Sequence, residues 1–334
     1  MIDPTLDAHR FSIGNTPMTD LAYTSRTGVP HVIHIKEERC NQFGSIKDRV
    51  AFYLLSKWHA AGRLEPRVVD ASSGNYGFAL ASIGQVLGLD VTIVSSGSIT
   101  DYNRRGIQRT GADLIIATPR PGESSNAARM RVAGDVAKAQ GASFLNQYES
   151  PANPESHQCW TAVETFGART FDACFLAASS GGTASGIFAY LESAGLQTEL
   201  VIAEPTGSRA FQDPGDPKAA KPCIPGYGSG RRSSFAVSGP RLNVSRVDEK
   251  AVQLAFELWD METWPPIGAS SVGTVLAAMD WLDRADTPRQ VVCICADGRE
   301  RYTTGRTMDR PVCETVDTRL QDQVSAEFTR LEAV

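Results

Sequence analysis

A chain of 334 residues is long enough for a large core and for two domains. With 42% hydrophobic and 21% charged residues it has the composition of a globular protein, and a net charge of -5 with a pI near 5.6 excludes the basic footprint of a nucleic-acid binder. No apolar run reaches the length of a membrane span, and MIDPTLDAHRFSIGNTP lacks the basic and apolar regions of a signal peptide. The seven cysteines are odd in number and form no C-x-x-C pair, which argues against a disulfide framework or a metal site. The expectation is a cytoplasmic protein without metal, with neither nucleic acid nor membrane as a partner.

In chain order, HVIHIK (31–36) reads as a strand and NQFGSIKDRVAFYLL (41–55) as the start of a helix. Ser45 and Asp48 form an S-x-x-D capping box with Ser45 as the cap. Val50, Leu54 and Trp58 follow at helical spacing, and Gly62 is a stop signal. Lys47 then falls in the first turn, where the positive end of the helix dipole disfavours a cation and eases its deprotonation. RVVDAS (67–72), VTIVSS (91–96), ADLIIAT (112–118) and SFLNQY (143–148) continue the strands, followed by FDACFLAAS (171–179), ELVIAEP (199–205) and QVVCICAD (290–297). Helical stretches separate most of them, so the class is α/β with largely parallel sheets. GSRAFQDPGDPKAAKPCIPGYGSGRRSS (207–234) is a long irregular region of the kind that is usually functional or mobile. After Tyr302 the strand pattern ends, and VDTRLQDQVSAEFTRLEAV is expected to pack on the surface as a last helix.

One pattern recurs three times. ASSGNYGFALASIG (71–84), ASSGGTASGIFAYL (178–191) and ASSVGTVLAAMDWL (269–282) each give Ala-Ser-Ser, a glycine and an apolar helix. Any single Ser/Gly turn is more often a cap than a site, but three of them, with a lysine at a fourth helix start, point to an anionic ligand. No G-x-x-x-x-G-K-[ST] loop is present, and GGTASG lacks the G-x-G-x-x-G spacing of a dinucleotide site. A ligand that joins one phosphate, a polar-edged ring and a carbonyl requiring a lysine is pyridoxal phosphate, held as a Schiff base.

The same residues carry a family resemblance. GNTP (14–17), NQFGSIKDR (41–49), SSGNYGFALA (72–81), SSGGTASG (179–186), PGYGSG (225–230) and ADGRERY (296–302) occur in the order found in the fold-type-II pyridoxal phosphate enzymes of the cysteine synthase group, which the chain resembles over nearly its whole length. The resemblance implies a tryptophan synthase β-like fold with two three-layer α/β/α domains. Residues 48–147 would form the smaller, mobile one, and 1–47 with 148–334 the larger, cofactor-binding one. It implies Lys47 as the Schiff-base lysine and Ser72, Ser73, Gly74 and Asn75 as the substrate-carboxylate loop, with Asn75 also reaching the ring hydroxyl. Ser180, Gly181, Gly182 and Thr183 would be the phosphate cup, Ser271 the partner of the pyridine nitrogen, and Gln147 a neighbour of the substrate carboxylate. A hydroxyl at the ring nitrogen leaves it unprotonated, which suits β-elimination over transamination. His157 is expected to be structural, and Arg299 and Arg301 to lie on the surface or at the interface of a homodimer.

Departures from the sulfur enzymes narrow the implied substrates. Tyr76 stands where they usually have threonine, Gln42 and Phe43 replace a Pro-Gly step, and PGYGSGRRSSF (225–235) replaces an apolar run. Arg231 and Arg232, beside Gly228 in a glycine loop, are read as a site for carboxylates or a phosphate. The pattern is similar to enzymes of the staphyloferrin B type of siderophore pathway. These join O-phospho-L-serine to L-glutamate through an aminoacrylate, giving N-(2-amino-2-carboxyethyl)-L-glutamate on the way to 2,3-diaminopropionate. A cysteine or sulfocysteine synthase, and a non-catalytic binding protein that kept the fold, stand as alternatives.

Overall fold

The structure is a computed structural model that describes residues 8–212, 215, 221–303, 307–309, 311–313 and 318–334. The first seven residues, 213–214 and 216–220 of the long Gly/Pro/Ser region, and 316–317 at the front of the expected last helix lie outside the described residues.

The strands are β1 (Met18–Thr24), β2 (Pro30–Glu37), β3 (Arg67–Ala71), β4 (Asp90–Ser95), β5 (Asp113–Ile116), β6 (Ser143–Phe144), β7 (Ala173–Ala177), β8 (Glu199–Pro205), β9 (Leu242–Val247), β10 (Gln290–Cys295) and β11 (Leu331–Ala333). The helices are α1 (Lys47–Ala60), α2 (Asn75–Leu87), α3 (Asp101–Arg109), α4 (Ser125–Gln140), α5 (Ala152–Ser156), α6 (Ala162–Phe166), α7 (Gly182–Ser193), α8 (Glu249–Leu258), α9 (Ala269–Leu282) and α10 (Thr318–Phe328). A π-helical turn, His157–Thr161, joins α5 to α6. The larger sheet has the order β11-β1-β2-β10-β7-β8-β9, and the smaller β5-β4-β3-β6. Every pair is parallel except β11 with β1 and β1 with β2.

Both faces of each sheet are covered, which is why the strands read as apolar runs. Along β10, Val291, Cys293 and Cys295 join a core with Phe256 of α8, Val275 of α9 and Phe328 of α10. The alternate residues Val292 and Ile294 join Ala184, Ile187 and Leu191 of α7. In the smaller sheet, Val91 and Ile93 of β4 pack with α1 and α2, while Val94 packs with Ala128 and Ala133 of α4. These are two three-layer α/β/α sandwiches. No helix among the described residues is long and apolar enough to cross a membrane.

Three strands go beyond the sequence-based expectation, and two elements are shorter than expected. β1 and β11 form an antiparallel edge on the larger sheet, and β9 forms its other edge. SFLNQY forms a strand only at Ser143–Phe144. The last helix stops at Phe328, and the tail turns to place Leu331–Ala333 against β1, covering an edge that would otherwise expose unpaired backbone. The helix packs on the surface as expected, docking Val324 and Phe328 against the core while most of its other residues stay exposed, and Leu331 is buried with them.

Two residues past Lys47, the Arg49 guanidinium is fully buried. Its Nε donates to Glu38 Oε2 at 2.6 Å, Nη1 to Glu164 Oε1 at 2.8 Å and Nη2 to Glu164 Oε2 at 2.7 Å, tying α1 to the turn after β2 and to α6. Lys36 of β2 adds a further contact to Glu164. Arg49→Met should leave Glu38 buried without its counter-charge and destabilise the protein by about 3–5 kcal/mol, read as a lower urea midpoint. Burial alone would raise the Glu164 carboxyl, but the Arg49 guanidinium overrides it and holds it down to about 2. Because the folded value lies below the unfolded one, this stabilisation is complete above about pH 4.5 and is lost as the pH falls toward 2. Acid unfolding of the wild type should show that loss, and Arg49→Met should not.

Candidate active site

The C-terminal ends of the strands in both sheets converge on one cavity, as is usual for open parallel sheets. Ser72–Asn75 follow β3, Gln147 follows β6, Ser180, Gly181 and Thr183 follow β7, and Asp297, Arg301 and Tyr302 follow β10. Together with Lys47 they line a space of about 220 Å³. It adjoins a larger cleft of about 1210 Å³, and Ser73, Thr100, Ser179, Gly226 and Arg301 line both.

Lys47 opens α1, but the capping differs from the expected box. Ile46, already helical, takes the cap position, and its side chain makes no capping bond. Ser45 is drawn into an antiparallel bridge with Asp297, and Ile46 N–H donates to Ala296 O at 2.8 Å. Asp48 Oδ2 accepts from Phe43 N–H at 2.6 Å, while Ser45 Oγ accepts from Lys47 N–H at 3.3 Å. The backbone of Lys47 is therefore anchored to the end of β10. Its amine has no hydrogen-bond or carboxylate partner among the described residues. Loss of water around it pulls its pKa down to about 8, so burial is the cause the structure supplies, in the same direction as the helix dipole.

The asparagine loop is braced from within. Ser72 Oγ accepts from Gly77 N–H at 3.0 Å and Gly74 N–H at 3.3 Å, which commits that hydroxyl to the turn. Asn75 is gripped at both ends: its Nδ2 donates to Asp297 Oδ2 at 2.6 Å and its Oδ1 accepts from Arg301 Nη1 at 2.9 Å. A carboxylate only accepts and a guanidinium only donates, so one amide orientation satisfies both. Gln147 is buried rather than exposed, and its Nε2 donates to Ala71 O at 2.8 Å.

Arg299 and Arg301 are not surface charges; each is only 4% exposed. Arg299 lies 3.9 Å from the centre of the Phe256 ring and donates to the Phe256 carbonyl. Arg301 packs against Phe78 and Tyr102 and donates to Gly44 O at 3.2 Å and to the Phe43 carbonyl. Non-local partners absorb both guanidinium groups, which no local pattern reveals. Asp297, 3% exposed, was also missed. The available signal was the position of ADGRERY straight after a core strand.

At the start of α7, Gly181 has φ +87°, and a Cβ on Gly182 would lie 2.2 Å from Asn153 Oδ1. Both glycines are required to fold the turn against α5. Thr183 Oγ1 lies 3.2 Å from His157 Nε2, and His157 Nδ1 lies 3.0 Å from Thr161 Oγ1. Burial, with Lys47 and Arg49 nearby, drives the His157 pKa well down, so the ring is neutral.

Ser270, not Ser271, lines the cavity. Ser271 Oγ is buried beside the Cys295 thiol and makes no hydrogen bond of ordinary geometry. That orphaned hydroxyl, the unpartnered Lys47 amine and the glycine-built N-terminus of α7 fit a group carrying a ring nitrogen, a carbonyl and a phosphate. Pyridoxal phosphate is such a group.

The two loop arginines separate. Arg231 is exposed and lines the larger cleft with Gly228. Arg232 lines neither space, because its Nη1 donates to Phe211 O at 3.1 Å. Another guanidinium faces the cleft instead. Arg129 of α4 is 7% exposed, bonds Asn126 Oδ1 at 2.8 Å, and lies 6.0 Å from the centre of the Tyr148 ring on the cavity wall. Its Nε has no partner, and no carboxylate pairs with it among the described residues.

A family model described as pyridoxal-phosphate dependent enzyme matches residues 9–298. Cysteine synthase 3 of Caenorhabditis elegans is 29% identical over 301 residues, covering 88% of this chain and 87% of its own. N-(2-amino-2-carboxyethyl)-L-glutamate synthase of Cupriavidus metallidurans is 30% identical over 301 residues, covering 87% of this chain and 86% of its own. The crystal structure of a hydrogen sulfide-producing enzyme from Fusobacterium nucleatum superimposes with a TM-score of 0.81 at 22% identity, over 99% of this chain and 97% of that one, a likeness of fold. The chain therefore belongs to the fold-type-II pyridoxal-phosphate dependent enzymes, among the β-substituting synthases that use pyridoxal 5'-phosphate.

Proposed function

We propose that the protein replaces the β-substituent of O-phospho-L-serine with the amine of L-glutamate, giving N-(2-amino-2-carboxyethyl)-L-glutamate. Relatives of near-equal identity carry both this activity and cysteine synthesis in their names, so identity does not choose between them. The observation that carries the reading is the charge of the outer cleft. Arg105, Arg109, Arg129, Lys221, Arg231 and Arg301 line it against Asp101, Glu300 and Asp309. Sulfide has no use for such a vestibule, whereas a phosphorylated donor and a dicarboxylic acceptor both do.

Pyridoxal phosphate, when bound, supplies a carbonyl for the lysine amine and an electron sink for the substrate α-carbon. In this reading Lys47 takes the α-proton and later returns it, a role suited to an amine with a pKa near 8. Ser180, Gly181, Gly182 and Thr183 would hold the cofactor phosphate at the start of α7, and the orphaned hydroxyl of Ser271, next in the chain to the cavity-lining Ser270, would be the partner of the ring nitrogen. Ser73, Gly74 and Asn75 receive the donor carboxylate. Arg129 receives the donor phosphate, because a nearly buried cation without a counter-charge is costly until an anion arrives. Arg231 and its cationic neighbours hold the acceptor carboxylates, and assembly as a homodimer is part of the same proposal.

Borohydride reduction should attach the cofactor to Lys47 in the wild type, and Lys47→Ala should show no such adduct by mass spectrometry. Label on another lysine would overturn the assignment. Arg129→Met should raise the KM for O-phospho-L-serine by roughly ten- to a hundredfold while sparing O-acetyl-L-serine, the loss of a charge-assisted contact. Arg231→Ala should spare donor consumption and weaken glutamate use. If the wild type consumes sulfide and never glutamate, the cysteine synthase reading takes its place.

A further inference from the structure

We propose that Asp297 is the base that deprotonates the incoming amine, an inference resting on the amine-nucleophile reading above. An amino acid enters at neutral pH as an ammonium, whose nitrogen has no lone pair to give. A second proton acceptor is therefore needed, because in the same step Lys47 must be protonated to supply the α-carbon.

The lining of the inner cavity offers one carboxylate. Its ionisable side chains are Lys47, Tyr76, Tyr148, Asp297, Arg301 and Tyr302. Arg301 only donates. Burial keeps the Tyr76 and Tyr302 hydroxyls protonated. His157 lies behind Thr183 and does not line the space. Among the described residues Asp297 is the one carboxylate there and no cation bonds it directly, the nearest charge being the Arg301 guanidinium that shares Asn75 with it. Its Oδ2 accepts from Asn75 at 2.6 Å, and Tyr302 Oη lies 3.1 and 3.2 Å from its two oxygens. Two donors leave acceptor capacity on a group with about four lone-pair positions.

The surroundings tune it. Burial pushes the Asp297 carboxyl up to about 6, opposed by the Arg301 guanidinium and by the bonds from Asn75 and Tyr302, and reinforced by Glu300. From α3, Tyr102 also faces this group of charges. Backbone Ser45, before α1, and Gly268, before α9, close its remaining sides without adding charge. A carboxylate with that value is ionised at pH 7, yet is a far better proton acceptor than an exposed aspartate.

The step balances. One proton passes from the acceptor ammonium to Asp297. The freed nitrogen pair forms the N–C bond to the donor β-carbon, after phosphate has left. The pair of the α,β double bond moves to the α-carbon, and the Lys47 ammonium protonates that carbon. Asp297 then releases its proton to solvent as product departs.

The test compares glutamate with azide, an anion that carries no proton at neutral pH, as acceptors in the holoenzyme. Asp297→Asn should lower the ratio of glutamate to azide consumption about a hundredfold. In that variant the glutamate rate should climb about tenfold per pH unit as solution supplies free amine. In the wild type, glutamate consumption should fall through an acid limb near pH 6 that azide lacks. Infrared difference titration without substrate should show a carboxyl near that pH, absent from Asp297→Asn, a readout independent of turnover. Equal losses for glutamate and azide would overturn the proposal and leave Asp297 only as the support of Asn75. An unchanged ratio would overturn it too. If Asp297→Asn does not fold, absence of the wild-type limb or of the infrared carboxyl decides against it. A wild type that consumes azide and sulfide but no amine would remove the function reading itself, a result distinct from a variant that leaves glutamate use intact.

Discussion

Arg49 lies fully out of water between Glu38 and Glu164, and a charge in that position is tolerable only while both carboxylates stay in place. The first turn of α1 is thereby locked to the turn after β2 and to α6. Lys47 belongs to that turn, and bonds from Ile46 to Ala296 and from Phe43 to Asp48 hold the chain on either side of it. The result is a lysine whose backbone is fixed on several sides and whose amine is bonded to none of the described residues. An amine held this way can meet an electrophile without first losing backbone freedom or giving up a hydrogen bond.

The second constraint spans the two sheets. Asn75 begins the helix after β3 of the smaller sheet, whereas Asp297 and Arg301 follow β10 of the larger one. Their hydrogen bonds, with a longer one from Arg301 to Asn103 at 3.4 Å, join the walls of the cavity. Any relative movement of the sheets must break these bonds or carry Asn75 along. The asparagine loop and the far wall of the cavity are in that sense one mechanical unit, and Arg301 lines both the cavity and the outer cleft.

Local patterns made much of this legible. The apolar runs of β2, β3, β4, β7, β8 and β10 are buried and show in composition alone, and so does that of β5, although this outer strand is only partly buried. The three Ser/Gly turns each open a helix, two of them after a parallel strand, and Lys47 stands at the start of a fourth. β1, β9 and β11 were not legible, because strands at or next to a sheet edge mix polar and apolar residues over a few positions and are stabilised by what they pair with. Arg301 failed for a related reason. A charged residue after a strand reads as solvated until its partners are known, and Asn75 lies 226 residues away in the chain. Arg232 shows the opposite: neighbours in sequence need not be neighbours in function, because a backbone carbonyl takes Arg232 while Arg231 faces the cleft.

One physical cause sets the proton chemistry of the cavity. Removing water disfavours whichever form of a group is charged, so it lowers an amine and raises a carboxyl. Lys47 and Asp297 both line the same cavity, and burial is the first cause of each displacement, to about 8 and about 6. In water the two groups would stand more than six units apart, and passing a proton between them through any intermediate would be steeply uphill in one direction. Here the gap is roughly two units, a few kcal/mol at most, and it straddles neutrality. An enclosed site can therefore hold an acceptor for one proton and a donor of another at the same pH, which is what joining an amine to a carbon framework demands. A cluster of opposite charges at the same place would have restored the gap, and the absence of an ion pair on either group among the described residues is what keeps it narrow.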